Sequence, residues 1–124
     1  KICYCIEYHE QYNWNGNSVN DINTLILQDA DNLDGIGAIG IGRTFSYGGS
    51  HNIIMYSEKT PLNENNDYSE FNGDDESTIH HFYHKLFKLG DNMNTQTGKE
   101  LAKKRIDFMK LFVKEFLNEW NANY

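Results

Sequence analysis

Gln28-Asp29-Ala30-Asp31-Asn32-Leu33-Asp34-Gly35-Ile36-Gly37-Ala38-Ile39-Gly40-Ile41-Gly42-Arg43 sets a cluster of aspartates directly before a run of spaced glycines. Two mechanisms compete for this stretch. Gly35, Gly37 and Gly40 fit G-x-G-x-x-G, in which glycines let a backbone approach a pyrophosphate at the start of a helix. That fingerprint needs a preceding strand, and here aspartates stand in its place and would repel the phosphates. The other mechanism is helical. Asp31 and Asp34 share a helix face with Leu27 and Ala38, while Asp29 points roughly to the opposite side. A carboxylate turned towards a core is costly unless it is paired or holds a metal. A solvated acidic cluster is the simpler reading of the spacing. Each glycine costs about 1 kcal/mol inside a helix, so their recurrence marks tight helix–helix contact.

Working outwards, Asn20 or Asp21 can cap this helix by accepting from its first free amides. The helix then runs from Ile22 through Asp34 and on towards Ile41. Upstream, Lys1 to about Tyr12 carries Ile2, Cys5, Ile6 and Tyr8 or His9 at helical spacing, in the manner of a buried segment. Asn13-Trp14-Asn15-Gly16-Asn17 reads as a loop. Downstream, Ser46 to Asp75 reads as a long irregular stretch around Pro61, either a lid or binding loop or a surface insertion. Asp75 or Ser77 starts a third helix, with Ile79, Phe82, Tyr83, Leu86 and Phe87 inward and Gly90 as its stop. The last helix carries Leu101, Ile106, Phe108, Met109, Phe112, Val113, Phe116, Leu117 and Trp120 as a broad apolar stripe. No run alternates with period two. The chain is expected to be all-α and one domain over 1–124.

Composition sets bounds. In 124 residues there are 18 acidic and 11 basic side chains, a net charge of −7. Binding to a nucleic-acid backbone or an anionic membrane calls for the opposite sign. No apolar run approaches the length of a membrane span. Cys3 and Cys5 read as reduced thiols of a cytoplasmic protein, since a zinc site would need further soft ligands.

The quoted stretch, continued through Thr44-Phe45 and Tyr47-Gly48-Gly49, resembles the signature of a bacterial branch of the HD-domain phosphohydrolases. Ser77-Thr78-Ile79-His80-His81-Phe82-Tyr83, Lys85-Leu86, Met93-Asn94-Thr95 with Gly98, and the segment from Arg105 through Trp120 fit the same branch. The resemblance covers nearly everything from Asn20 onward. It implies an HD-type helical bundle, a divalent metal ion (Mn²⁺, Mg²⁺ or Fe²⁺) and hydrolysis of phosphate esters or anhydrides, nucleotides among them. In the family a His, a His-Asp doublet and a later Asp hold the metal. Asp31, in Ala30-Asp31-Asn32-Leu33, matches that later Asp, and Asp34 is placed to orient a ligand or the attacking water as a catalytic residue. Asn32 stands where the signature usually carries Arg.

The doublet itself is missing: His9, His51, His80, His81 and His84 are followed by Glu, Asn, His, Phe and Lys. The resemblance implies that the other ligands lie upstream, which agrees with a chain that opens at Lys1 inside an apolar segment. The chain is therefore expected to be the C-terminal part of an HD domain, truncated at its N-terminus and unable to hold the metal well alone.

Four further residues are candidates for substrate contact. Arg43 reads first as an ion-pair partner of Asp29 or Asp34 and second as a phosphate ligand. His51, behind Gly48-Gly49-Ser50, reads as an exposed loop histidine or a residue folded over a substrate. His81 and Lys85 face a cleft or serve the fold, and His80 and His84 lack a matching carboxylate for chelation. Exposed parts of the last helix's stripe invite self-association into a homo-oligomer. Two function classes follow: a metal-dependent phosphohydrolase, or a degenerate HD domain that binds a nucleotide or a protein without catalysis.

Overall fold

The structure, a computed structural model, describes residues 1–9, 20–63 and 76–123. The elements are α1 (Ile2–Tyr8), α2 (Ile22–Asp34), α3 (Gly37–Ser50), α4 (Thr78–His81), a π-helical segment (Phe82–Leu86), α5 (Phe87–Leu89), a 3₁₀ turn (Gly90–Asn92) and α6 (Gln96–Trp120). No strand occurs among the described residues. Over the described residues the fold is an all-α helical bundle, as its sequence predicts.

Helix α2 starts where Asp21 caps it, its carboxylate accepting from Thr24 N at 3.0 Å and Thr24 Oγ1 at 2.9 Å. The backbone bond to Thr24, then the bond to its side chain, lowers the Asp21 pKa. The helix does not continue towards Ile41. It stops at Gly35, and Ile36 adopts an extended conformation (φ −126°, ψ 172°) before α3 begins. Gly37 has φ +79°, a region that side chains disfavour, and Arg105 packs against its Cα. At Gly40 a Cβ would collide with the Gly35 carbonyl, so the two helices meet at a close corner. The glycines thus serve a sharp helix–turn–helix, although Gly42 faces open space.

The long loop expected over 46–75 begins later, because α3 continues through Gly48 and Gly49 to Ser50, and the His51 backbone N–H closes it on the Gly48 and Tyr47 carbonyls. Residues 64–75, including Asp75, lie outside the described residues, as does the expected loop at Asn13–Asn17. The third helix starts at Ser77, whose Oγ accepts from His80 N. It is interrupted by the π-helical turn at Phe82–Leu86, a geometry that widens the helix by one residue.

Helix α6 is the spine. Gly98, Ala102, Ile106, Met109 and Val113 are buried along one face at helical spacing. They meet Ile36, Ile79, Phe82, Leu86, Leu89 and Met93. Phe82 is fully buried, a burial that contributes about 1.5–3 kcal/mol. Leu101 and Phe108, expected in the stripe, face solvent, and Ala102 takes the inward place. Nor is α1 a buried segment: it holds no buried residue, and Ile2 is 78% exposed.

A strap from 53 to 60 ties the end of α3 to the start of α4. Thr78 N donates to Ile54 O and Ile79 N to Met55 O. Ser57 Oγ donates to Glu76 Oε1 at 2.6 Å, and His80, buried, meets Thr60 O through Nε2 at 2.9 Å. The Ser57 bond, then one from Thr60, holds the Glu76 carboxyl below its usual pKa. The charged form is therefore favoured by folding, so its stabilisation is complete above the ordinary carboxylate range and fades as pH falls through it. Trp120, whose Nε1 donates to Glu58 on the strap, reports on this. Acidification from pH 6 should shift the Trp120 emission as the strap loosens, and Glu76→Gln should weaken that acid dependence; an identical titration in the variant would show that Glu76 does not fasten the strap.

Candidate functional site

The three aspartates of α2 have different fates. Asp29, expected to lie opposite the working carboxylates, is the buried one at 3% exposure. It accepts from Asn94 N at 2.7 Å and Asn94 Nδ2 at 3.0 Å, and from Thr95 N at 2.8 Å and Thr95 Oγ1 at 2.6 Å. Thr95 is the N-cap of α6, accepting in turn from Gly98 N. Gly98 leaves room for all of this, since a Cβ there would run into the Asp29 carboxylate. Asp29 is thus the link between α2 and the start of α6.

Asp31 and Asp34 do share a face, but it is exposed rather than turned into the core. The reason lies in the neighbours: Thr24, Gln28, Asp29 and Asn32 fill the inner face of α2, leaving the outer flank to the other two. Asp34 forms an ion pair with Arg43, both side chains largely exposed. Arg43 also donates to the Asp34 carbonyl at 3.2 Å, so it meets the negative end of α2 from within α3 rather than ending the acidic helix itself. Arg105 donates to the neighbouring Leu33 carbonyl from α6. An exposed pair of this kind contributes at most about 1 kcal/mol, so its value is in fixing where the guanidinium sits.

Asn32, which the sequence marks only as a departure from the signature's Arg, is buried. It is 2% exposed, and neither Oδ1 nor Nδ2 has a hydrogen-bond partner among the described residues. The departure from Arg was visible in the sequence, but nothing local announced that the amide would be buried.

His51 closes α3 as its C-cap and is exposed. Its imidazole stacks on Tyr47 with ring centres 3.8 Å apart, and its Nδ1 lies 2.9 Å from Tyr47 O. His81 and Lys85 are half-buried on α4 and the π-helical turn, away from the α2–α3 corner in sequence. The structure therefore unites Asp34 with Arg43. It makes His80 a core residue bonded to Ser77 Oγ at 2.7 Å rather than a ligand.

The donor set can be tested for a metal on these observations. Among the described residues there is no group of three His, Cys, Asp or Glu side chains that could hold one. The single carboxylate of Asp31, which is exposed, is too few donors to fix a divalent ion. The described residues do not fit a complete metal centre. Among them, no helix is long and apolar enough to cross a membrane.

No family model matches the chain. A solved structure of an HD-superfamily hydrolase from Bacillus thuringiensis superposes with a TM-score of 0.69 at 41% identity, covering 83% of this chain and 48% of that one. This chain belongs to the HD superfamily. A Lactobacillus plantarum protein of known structure gives a TM-score of 0.79 at 36% identity over 98% of this chain and 61% of its own. The uncharacterized protein YpgQ of Bacillus subtilis is 42% identical over 89 residues, 72% of this chain and 36% of YpgQ. The structure of YpgQ in complex with ADP matches at a TM-score of 0.59 and 38% identity, covering 80% of this chain and 44% of that one. The chain thus spans between 36% and 61% of the length of these relatives.

Leaving a buried amide unpaired costs about 1–3 kcal/mol. Asn32→Leu, close to isosteric, should therefore raise the urea midpoint by the equivalent of about 1 kcal/mol. A fall in the midpoint would mean that Asn32 is satisfied by a partner the present contacts do not include.

Proposed function

We propose that the full-length protein is a cytoplasmic, metal-dependent phosphohydrolase acting on phosphate esters or anhydrides, nucleotides among them. The observation that carries this is the 41% identity to an HD-superfamily hydrolase, with Asp31 exposed on α2 beside the Asp34–Arg43 ion pair. The ADP held by YpgQ gives the nucleotide its support.

In this reading Asp31 is the chain's contribution to a divalent centre (Mn²⁺, Mg²⁺ or Fe²⁺), and the remaining ligands belong to the part of the relatives' length that this chain does not span. The chain's own residues then have defined tasks. Asp34 anchors the Arg43 guanidinium, which has five N–H donors and keeps several for a phosphate oxygen. Asp29 fixes the rotation of α2, and so the direction in which Asp31 points. His51, His81 and Lys85 are carried as substrate contacts, His51 from the end of the helix that holds Arg43.

A second reading is a non-catalytic HD module that binds a nucleotide or a protein. One observation favours it: the described residues hold no convergent ligand set. Self-association through the exposed Leu101, Phe108 and Leu111 of α6 is compatible with either.

Full-length protein supplied with Mn²⁺ should release phosphate or pyrophosphate from nucleoside triphosphates, and Asp31→Ala should lower that rate at least a hundredfold. Metal-stimulated activity that survives Asp31→Ala would sink the assignment of Asp31. Absence of any metal-stimulated turnover in the parent protein would leave the binding module as the function.

A further inference from the structure

Helix α3 carries Arg43, Tyr47 and His51 at successive intervals of four, so they form one exposed line. Each step along it is about 6 Å. Tyr47 is 59% exposed, unusual for a ring that could have been buried, and its partner is the imidazole of His51 in a stacked arrangement at 3.8 Å and 19°. The imidazole is itself pinned. Its Nδ1 faces Tyr47 O at 2.9 Å and Ser50 Oγ at 2.8 Å. A carbonyl only accepts, so Nδ1 is the donor there, and in the neutral imidazole Nε2 is the acceptor.

The cap does not account for the aromatic. Closing the helix end uses the Tyr47 carbonyl, which any residue at 47 would supply. What the side chain adds is a flat, rigid apolar surface at the protein's exterior, ordered before any ligand arrives. At one end of the line stands the Arg43 guanidinium, held by Asp34, one turn along α2 from Asp31. Cation first and aromatic second, about one helical turn apart, is the order in which a molecule with a phosphate and a planar ring would be met.

We propose that Tyr47, backed by His51, is the residue that stacks on the substrate's planar heterocycle, so that this line selects nucleoside phosphates over phosphates without a ring. His51 Nε2 then accepts from an exocyclic amino group at the ring's edge. The assignment of the phosphate half rests on the phosphohydrolase reading above; the stacking half does not need turnover.

The test is binding of adenosine, which has the ring and no phosphate, to full-length protein, followed by saturation-transfer NMR and calorimetry, with ribose as control. Adenosine should bind and ribose should not. Loss of one stacked ring is worth roughly tenfold or more in affinity, so Tyr47→Leu should weaken adenosine by about that factor and Tyr47→Trp should restore it. Adenosine that does not bind, or that binds Tyr47→Leu as well as the parent, overturns the proposal. Absence of metal-stimulated phosphate or pyrophosphate release from nucleoside triphosphates, measured separately, would strike the phosphohydrolase reading and leave this binding result to stand by itself.

Discussion

One buried carboxylate organises this molecule. Asp29 receives the backbone and side-chain donors of Asn94 and Thr95, which are the free donors just ahead of α6. A charge taken out of water at this depth is tolerable because its oxygens are met by donors on all sides. The bond also runs across 65 or 66 residues of sequence, so it joins the acidic helix to the spine of the core at one point. Gly98 is small for this reason, and the register of α6 against α2 follows from it. Further along, Arg105 reaches the end of α2 and packs on Gly37.

The corner between α2 and α3 depends on that register. Two arginines from different helices meet consecutive carbonyls, at Leu33 and Asp34, where the helix dipole is negative. The result is a rigid, exposed edge made of Asp31, Asp34, Arg43 and Tyr47, carried on a buried polar face. Polar burial on this scale is costly, and Asn32 shows the cost directly. Its amide has no partner among the described residues, one residue from the proposed metal ligand.

Much of this was legible in the sequence, for physical reasons that differ by element. The caps at Asp21 and Ser77 are local signals, a short polar side chain before an apolar periodic run, and they are where they were expected. The long stripe of α6 is a strong periodic signal, yet its centre is displaced, because Gly98 and Ala102 pack inward where a larger side chain would not fit. The break at Gly35–Ile36 was not read, since glycine spacing alone does not separate helix–helix contact from a turn. Position 37 settles it through its positive φ. The site was harder still. Spacing placed Asp31 and Asp34 together and Asp29 apart, correctly, but which face is inside is decided by residues 65 positions away. The pairing of Asp34 with Arg43 could be foreseen from charge; the stacking of Tyr47 on His51 could not.

The central claim is that Asp29 holds α2 and α6 in register. Asp29→Asn keeps the shape and replaces one accepting oxygen with a donor facing other donors. Amide hydrogen exchange at Thr95 and Gly98 in the two proteins reads the consequence directly. The account predicts that protection in the first turn of α6 falls at least tenfold in Asp29→Asn, with a lower urea midpoint. Unchanged protection at both amides would contradict it, and would mean that the core stripe of α6 sets the register without the carboxylate.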